Sequence, residues 1–207
     1  MKRRWVVAPG LAQTAATQGE SRQLLAQLAG QRSLMATERR VALVIGNAAY
    51  DNAPLRNPVN DARAMAKALR ELGFQVSEKT DADLKGMTVT VNQFGEQTKR
   101  ADVALFYYSG HGIQSQGQNH LIPTEAQVAA ENELPFSSLN AGLVLAKMQN
   151  AGTRVNIMIL DACRTNPFAR IFRSSNVGLA QMEAAQGTII AYSTAPGAVA
   201  VDGEEAT

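Results

Sequence analysis

The chain has 207 residues, a formal charge of +2, 45% apolar and 18% charged residues, one cysteine and two histidines. That length supports one α/β domain with a buried core plus an extra segment, and the balance argues against wholesale disorder. A charge this small, with no basic stripe among aromatics, argues against a nucleic-acid partner, and a single cysteine excludes an internal disulfide framework and a multi-cysteine metal site.

The first residues, Met1-Lys2-Arg3-Arg4, carry positive charge as a signal peptide does. Pro9 and Gly10 then break the apolar stretch, so a cytoplasmic protein is expected. No run approaches the ~18 apolar residues of a membrane span. Residues 1–38 are rich in Gln, Ala, Ser and Thr and read as a poorly structured leader. Within it, 21–35 could form a short amphipathic helix through Leu24, Leu25, Leu28 and Leu34. Met35, just ahead of the ordered part, is a candidate translation start.

From residue 39 onward strands and helices alternate. Strands are expected over 41–46, 74–78, 102–108, 155–160 and 188–192. Helices are expected over 58–72, stopped by Gly73, over 81–99, capped by Asp81, and over 138–149. Residues 112–123, with Gly117-Gln118-Asn119 in the middle, read as a β-hairpin. The expected fold is a doubly wound, mainly parallel sheet with helices on both faces.

Two of these strands end in reactive side chains. The run 102–108 opens into Ser109-Gly110-His111-Gly112, and 155–160 opens into Asp161-Ala162-Cys163-Arg164. Open α/β sheets carry their chemistry at the carboxyl ends of strands. A thiol with an imidazole is the minimum for a cysteine nucleophile served by a general base. Either residue alone also fits an inert buried thiol or a turn histidine; their joint placement favours the dyad. The N–H groups of Gly112 and Cys163 are candidate oxyanion donors, with the glycines beside His111 leaving room for a substrate backbone. His120, inside the hairpin, reads as structural. The histidines lack metal-ligand spacing and there is no D-x-D-x-D-G loop, so no metal and no cofactor are expected.

These segments resemble the caspase-like cysteine peptidases, most closely their prokaryotic metacaspase-like branch. The pieces that carry the resemblance are 40–47, Asn60-Asp61-Ala62, Tyr108-Ser109-Gly110-His111-Gly112, 119–123 and Asp161-Ala162-Cys163-Arg164-Thr165, with His111 standing 52 positions before Cys163. The resemblance implies a domain over 39–207 with His111 and Cys163 catalytic. It also implies an acidic pocket formed by Asp61, Ser109 and Asp161 for the residue before the cut bond. Two carboxylates there would favour arginine, then lysine, and reject an acidic side chain. The expected activity is therefore that of a cysteine endopeptidase on protein or peptide substrates. The rivals are a non-catalytic interaction module or inactive fragment of the same fold, and a thiol hydrolase of small amides. Family members continue past Ala195-Pro196-Gly197 into another helix and strand, so the expectation is either a fragment or a sheet that ends at its fifth strand with an open edge, which would favour a homodimer. The segment with Arg164, Arg170, Arg173 and Ser174-Ser175-Asn176 reads as a solvated loop, with self-cleavage after Arg170 or Arg173 as the sharper alternative.

Overall fold

The computed structural model describes Gln23, Gln27 and residues 38–163 and 178–193, with Cys163 described through its backbone. The leader as a whole, the segment with Arg164, Arg170 and Arg173, and the Ala195-Pro196-Gly197 stretch lie outside the described residues. The chain divides into two compact units, Met1–Glu38 and Arg39–Thr207. Gln23 and Gln27 of the first unit are helical and exposed. The second unit carries the fold described below.

Among the described residues its sheet has seven strands: β1 (Arg40–Gly46), β2 (Gln75–Thr80), β3 (Val103–Ser115), β4 (Gln118–Leu121), β5 (Leu139–Asn140), β6 (Val155–Cys163) and β7 (Thr188–Tyr192). The parallel part runs β2-β1-β3-β6-β7, and the far half of β3 turns antiparallel to β4, which pairs with β5. The helices are α1 (Pro58–Glu71), α2 (Leu84–Thr98), α3 (Leu134–Ser137) and α4 (Ala141–Asn150), with a 3₁₀ turn at Glu131–Glu133.

Alternation along β1 feeds two cores. Val41, Leu43 and Ile45 pack with Met87, Val91 and Phe94 of α2 and Val144, Leu145 and Met148 of α4. Ala42 and Val44 pack on the other face with Ala62, Ala66 and Leu69 of α1. Such period-two burial on both faces is what a central strand under two helical layers requires. In α2 the residues Met87, Val91, Phe94 and Thr98 are buried, at helical spacing. That stripe overrides the weak helix propensity of Gly86 and the Thr-Val run.

The expected elements are present, but several boundaries need correction. β3 does not stop at Tyr108 and β6 does not stop at Leu160: the ladder continues through Ser109↔Asp161, Gly110↔Ala162 and His111↔Cys163. Reading a strand as an apolar run ends it at the first polar residue, although backbone pairing is indifferent to side-chain polarity. Asp81 is not the cap of α2. Asp83 is, accepting from the Gly86 N–H at 2.7 Å. The hairpin turn is Gln116-Gly117, with φ of 50° and 76°, rather than the Gly117–Asn119 stretch. Positive φ at both central residues matches the twist of the flanking strands. Finally, the expected helix over 138–149 begins at Ala141, because Leu139–Asn140 form β5 and the Asn140 side chain caps the helix at the Gly142 N–H.

Candidate active site

His111 occupies the residue of β3 at which pairing changes. Up to His111 the strand is parallel to β6, and from Gly112 it is antiparallel to β4. Its side chain is 1% exposed. Two tyrosines fix its backbone. The His111 N–H donates to the Tyr50 hydroxyl at 2.9 Å, and the Tyr108 hydroxyl donates to the His111 carbonyl at 2.8 Å. The two hydroxyls lie 3.2 Å apart and each reaches the Ile122 carbonyl, at 3.1 Å from Tyr50 and 3.0 Å from Tyr108. The Tyr50 ring also leans on the imidazole, with centroids 4.4 Å apart.

The imidazole itself is oriented by a backbone oxygen. Nε2 lies 2.7 Å from the Ala53 carbonyl. A carbonyl can only accept, so Nε2 carries the proton and, in the neutral ring, Nδ1 is the basic nitrogen. Ala53 and Tyr50 both belong to the loop between β1 and α1. That loop starts on a fixed base, because Asp81, at φ 46°, accepts through Oδ1 from the N–H groups of Ala48 at 2.8 Å and Ala49 at 2.9 Å. Fully buried Asn47 just ahead accepts from the Ala82 N–H at 2.9 Å and donates to the Ile122 carbonyl at 3.2 Å.

Position 163 is the register partner of His111 on the adjacent parallel strand. Neighbouring strands lie about 4.8 Å apart, so the ladder brings the two backbones into immediate proximity.

The glycines around His111 serve packing rather than open space. A Cβ at Gly110, at φ 154°, would stand 2.6 Å from the Tyr50 hydroxyl and 2.7 Å from that of Tyr108. A Cβ at Gly112 would stand 2.8 Å from the Ala162 Cβ and 3.1 Å from Leu179. On their Cβ side, then, these two glycines are met by the protein's own side chains.

Ser109 and Asp161 are also register partners, with Gly46 of β1 on the other side of Ser109. Ser109 is buried and Asp161 half-buried. The Asp161 Oδ2 accepts a 3.1 Å hydrogen bond from the Tyr107 hydroxyl. Burial pushes the Tyr107 hydroxyl well above its ordinary value, the Asp161 and Asp61 charges push the same way, and the Ser109 side chain opposes them. Asp61, exposed in the first turn of α1, thus belongs to the same electrostatic neighbourhood. Gly46 makes that possible: a Cβ there would meet the Pro58 carbonyl at 2.5 Å and Ala62 at 2.6 Å, so only glycine lets α1 seat this close. Ser109, Asp161 and Asp61 therefore gather around Tyr107, a residue that sequence reasoning passed over as part of an apolar run. Its phenol was the available signal, since a buried tyrosine hydroxyl requires a partner.

His120 stands apart, 2% exposed, with Nδ1 donating to the Ser138 hydroxyl at 2.9 Å; burial lowers its pKa. Among the described residues, no group of three or more His, Cys, Asp or Glu could hold a metal ion, and no helix is long and apolar enough to cross a membrane.

A family model described as the caspase domain matches residues 39–207. Mucosa-associated lymphoid tissue lymphoma translocation protein 1 of Homo sapiens and its Mus musculus homolog are each 32% identical over 126 residues, which is 60% of this chain and 15% of either relative. The chain therefore spans a small part of the curated relatives it matches. Among solved structures, the Drosophila initiator caspase Dronc superposes with a TM-score of 0.54 over 77% of this chain and 56% of that one, at 12% identity, a likeness of fold.

Proposed function

Because the chain belongs to the caspase domain family, a family of cysteine peptidases, over residues 39–207, we propose that it is a cysteine endopeptidase cutting after arginine, then lysine. Cys163 is its nucleophile and His111 its general base. The observation that carries the reading is the register pairing of His111 with Cys163.

An unperturbed thiol, with a pKa near ~8.5, is only slightly ionised at neutral pH. Nδ1 of His111 takes the thiol proton as the sulfur attacks the carbonyl carbon before the scissile bond. The tetrahedral oxyanion accepts from the N–H groups of Gly112 and Cys163. Collapse breaks the C–N bond, and the imidazolium hands its proton to the leaving amine. A thioester remains. Water, deprotonated by the same Nδ1, attacks the thioester, and the departing sulfur recovers the proton. The Nε2–H bond to Ala53 steadies the ring in both states and supports the imidazolium when it forms.

Asp61, Ser109 and Asp161 receive the side chain before the cut. Two carboxylates in a partly desolvated setting favour a cation and repel Asp or Glu. Charge-assisted hydrogen bonds of this kind contribute about 1.5–3 kcal/mol each, enough to dominate selection.

The test is turnover of fluorogenic peptides ending in Arg, Lys or Asp by the parent and by Cys163→Ala. Cleavage of the arginine peptide by the parent alone is expected. Equal turnover by both proteins, or preference for the Asp peptide, would overturn the assignment.

A further inference from the structure

We propose that Tyr107 is a specificity-determining residue: its hydroxyl fixes the plane of the Asp161 carboxylate so that it grips a guanidinium by two parallel hydrogen bonds. The proposal rests on the pocket reading above and adds a residue to it.

The geometry is compact. Tyr107 is 4% exposed and belongs to the buried cluster with Ala62, Ala66 and Leu105, so the hydroxyl has little freedom to wander. It donates to Asp161 Oδ2 at 3.1 Å. Among the described residues Tyr107 is the one hydrogen-bond partner found for this half-buried carboxylate. The hydroxyl stays protonated throughout the working range, since burial and the two nearby carboxylates all disfavour its ionisation. It is a permanent donor in this cluster.

A fixed carboxylate plane matters differently to the two cations. Guanidinium is a planar fork, and its paired N–H···O bonds require coplanarity with the carboxylate. An ammonium is a compact charge with three rotatable donors and tolerates any carboxylate orientation. Oδ2 can accept from Tyr107 and from a ligand at once, because each carboxylate oxygen offers two acceptor sites. Freeing Asp161 from Tyr107 should therefore penalise arginine selectively and leave lysine nearly untouched. A merely structural role would weaken both alike.

The test uses Tyr107→Phe, which keeps the ring in the core and removes only the oxygen. In a Cys163→Ala background, fluorescein-labelled peptides ending in arginine amide or lysine amide are titrated by anisotropy. The arginine peptide should bind about tenfold more weakly to the Phe variant, and the lysine peptide within about twofold of the parent. In the active enzyme the same change should appear in KM for arginine substrates with kcat retained. Equal weakening of both peptides, an unchanged Arg-to-Lys ratio, or failure of the parent to bind the arginine peptide overturns the proposal. If binding behaves as expected but no peptide is hydrolysed, the Tyr107 assignment stands and the peptidase reading falls. If arginine peptides are cut and the Phe variant keeps the parent's ratio, the reverse holds.

Discussion

His111 donates through Nε2 to the Ala53 carbonyl across 2.7 Å, which makes a loop preceding α1 responsible for the protonation pattern of an imidazole on β3. No side-chain substitution removes a backbone oxygen. The loop can, however, be loosened from its base.

Asp81 is the place to do so. Its carboxylate holds Ala48 and Ala49, five and four residues ahead of Ala53. Asp81→Ala should lower kcat on the arginine peptide about tenfold while KM changes less than twofold, since the pocket is separate. Asp81→Asn, which keeps one acceptor and tolerates positive φ, should recover most of the loss. Steady-state kinetics on the three proteins checks this, and an equal fall in binding would point to general loosening instead.

Tyr50→Phe isolates the clamp on the histidine backbone. It leaves the buried His111 N–H without the acceptor found at 2.9 Å. An unsatisfied buried donor costs about 1–3 kcal/mol. Urea melts should show that loss, accompanied by a several-fold drop in kcat. A variant as stable as the parent would mean that another group takes over the N–H.

Gly46→Ala tests the seating of α1. The new methyl would meet the Pro58 carbonyl and Ala62 at distances real Cβ atoms do not adopt. Overpacking of this kind costs about 1–3 kcal/mol. It should also push Asp61 away from its neighbours, raising KM for arginine substrates more than kcat falls. Thermal melts and kinetics report the two effects separately.

The pH dependence of stability should carry a mark of His120. Burial lowers its pKa in the folded state below the unfolded value near ~6.5. Between those two values the unfolded chain binds more protons, so stability rises with pH through that window and is lost on acidification. Above ~6.5 both states are neutral there and the dependence vanishes. His120→Asn, which keeps a donor for the Ser138 hydroxyl, should flatten that acid limb in urea melts run from pH 5 to 7.5. An unchanged limb would assign it to other groups.

The sequence made the strands legible because their apolar runs are long, and it pointed to His111 and Cys163 as candidates because each stands three residues past such a run, where the ladder makes them register partners. Asp61 came from family resemblance alone, since a carboxylate in a first helical turn is ordinary. Ala53 escaped notice because a backbone carbonyl has no residue signature. Tyr50 escaped because its partner lies 61 residues away and nothing local announces the pairing. Asp81 was read as a cap, the commonest use of an aspartate before a helix. The competing use, bridging two N–H groups of a distant loop, appears only once β1 and β2 lie side by side. The boundaries of β3 and β6 failed for a related reason, positions 111 and 163 being woven into the sheet instead of hanging beyond it.

That weave has a consequence for how the chain tolerates change. β3 is held by β1 up to Ser109, by β6 up to His111 and by β4 only afterwards. Residues inserted at the Gln116-Gly117 tip would rethread the far arm of the hairpin yet leave the imidazole where it is. Length variation at that tip is thus mechanically insulated from the candidate site, and a tag or peptide graft belongs there.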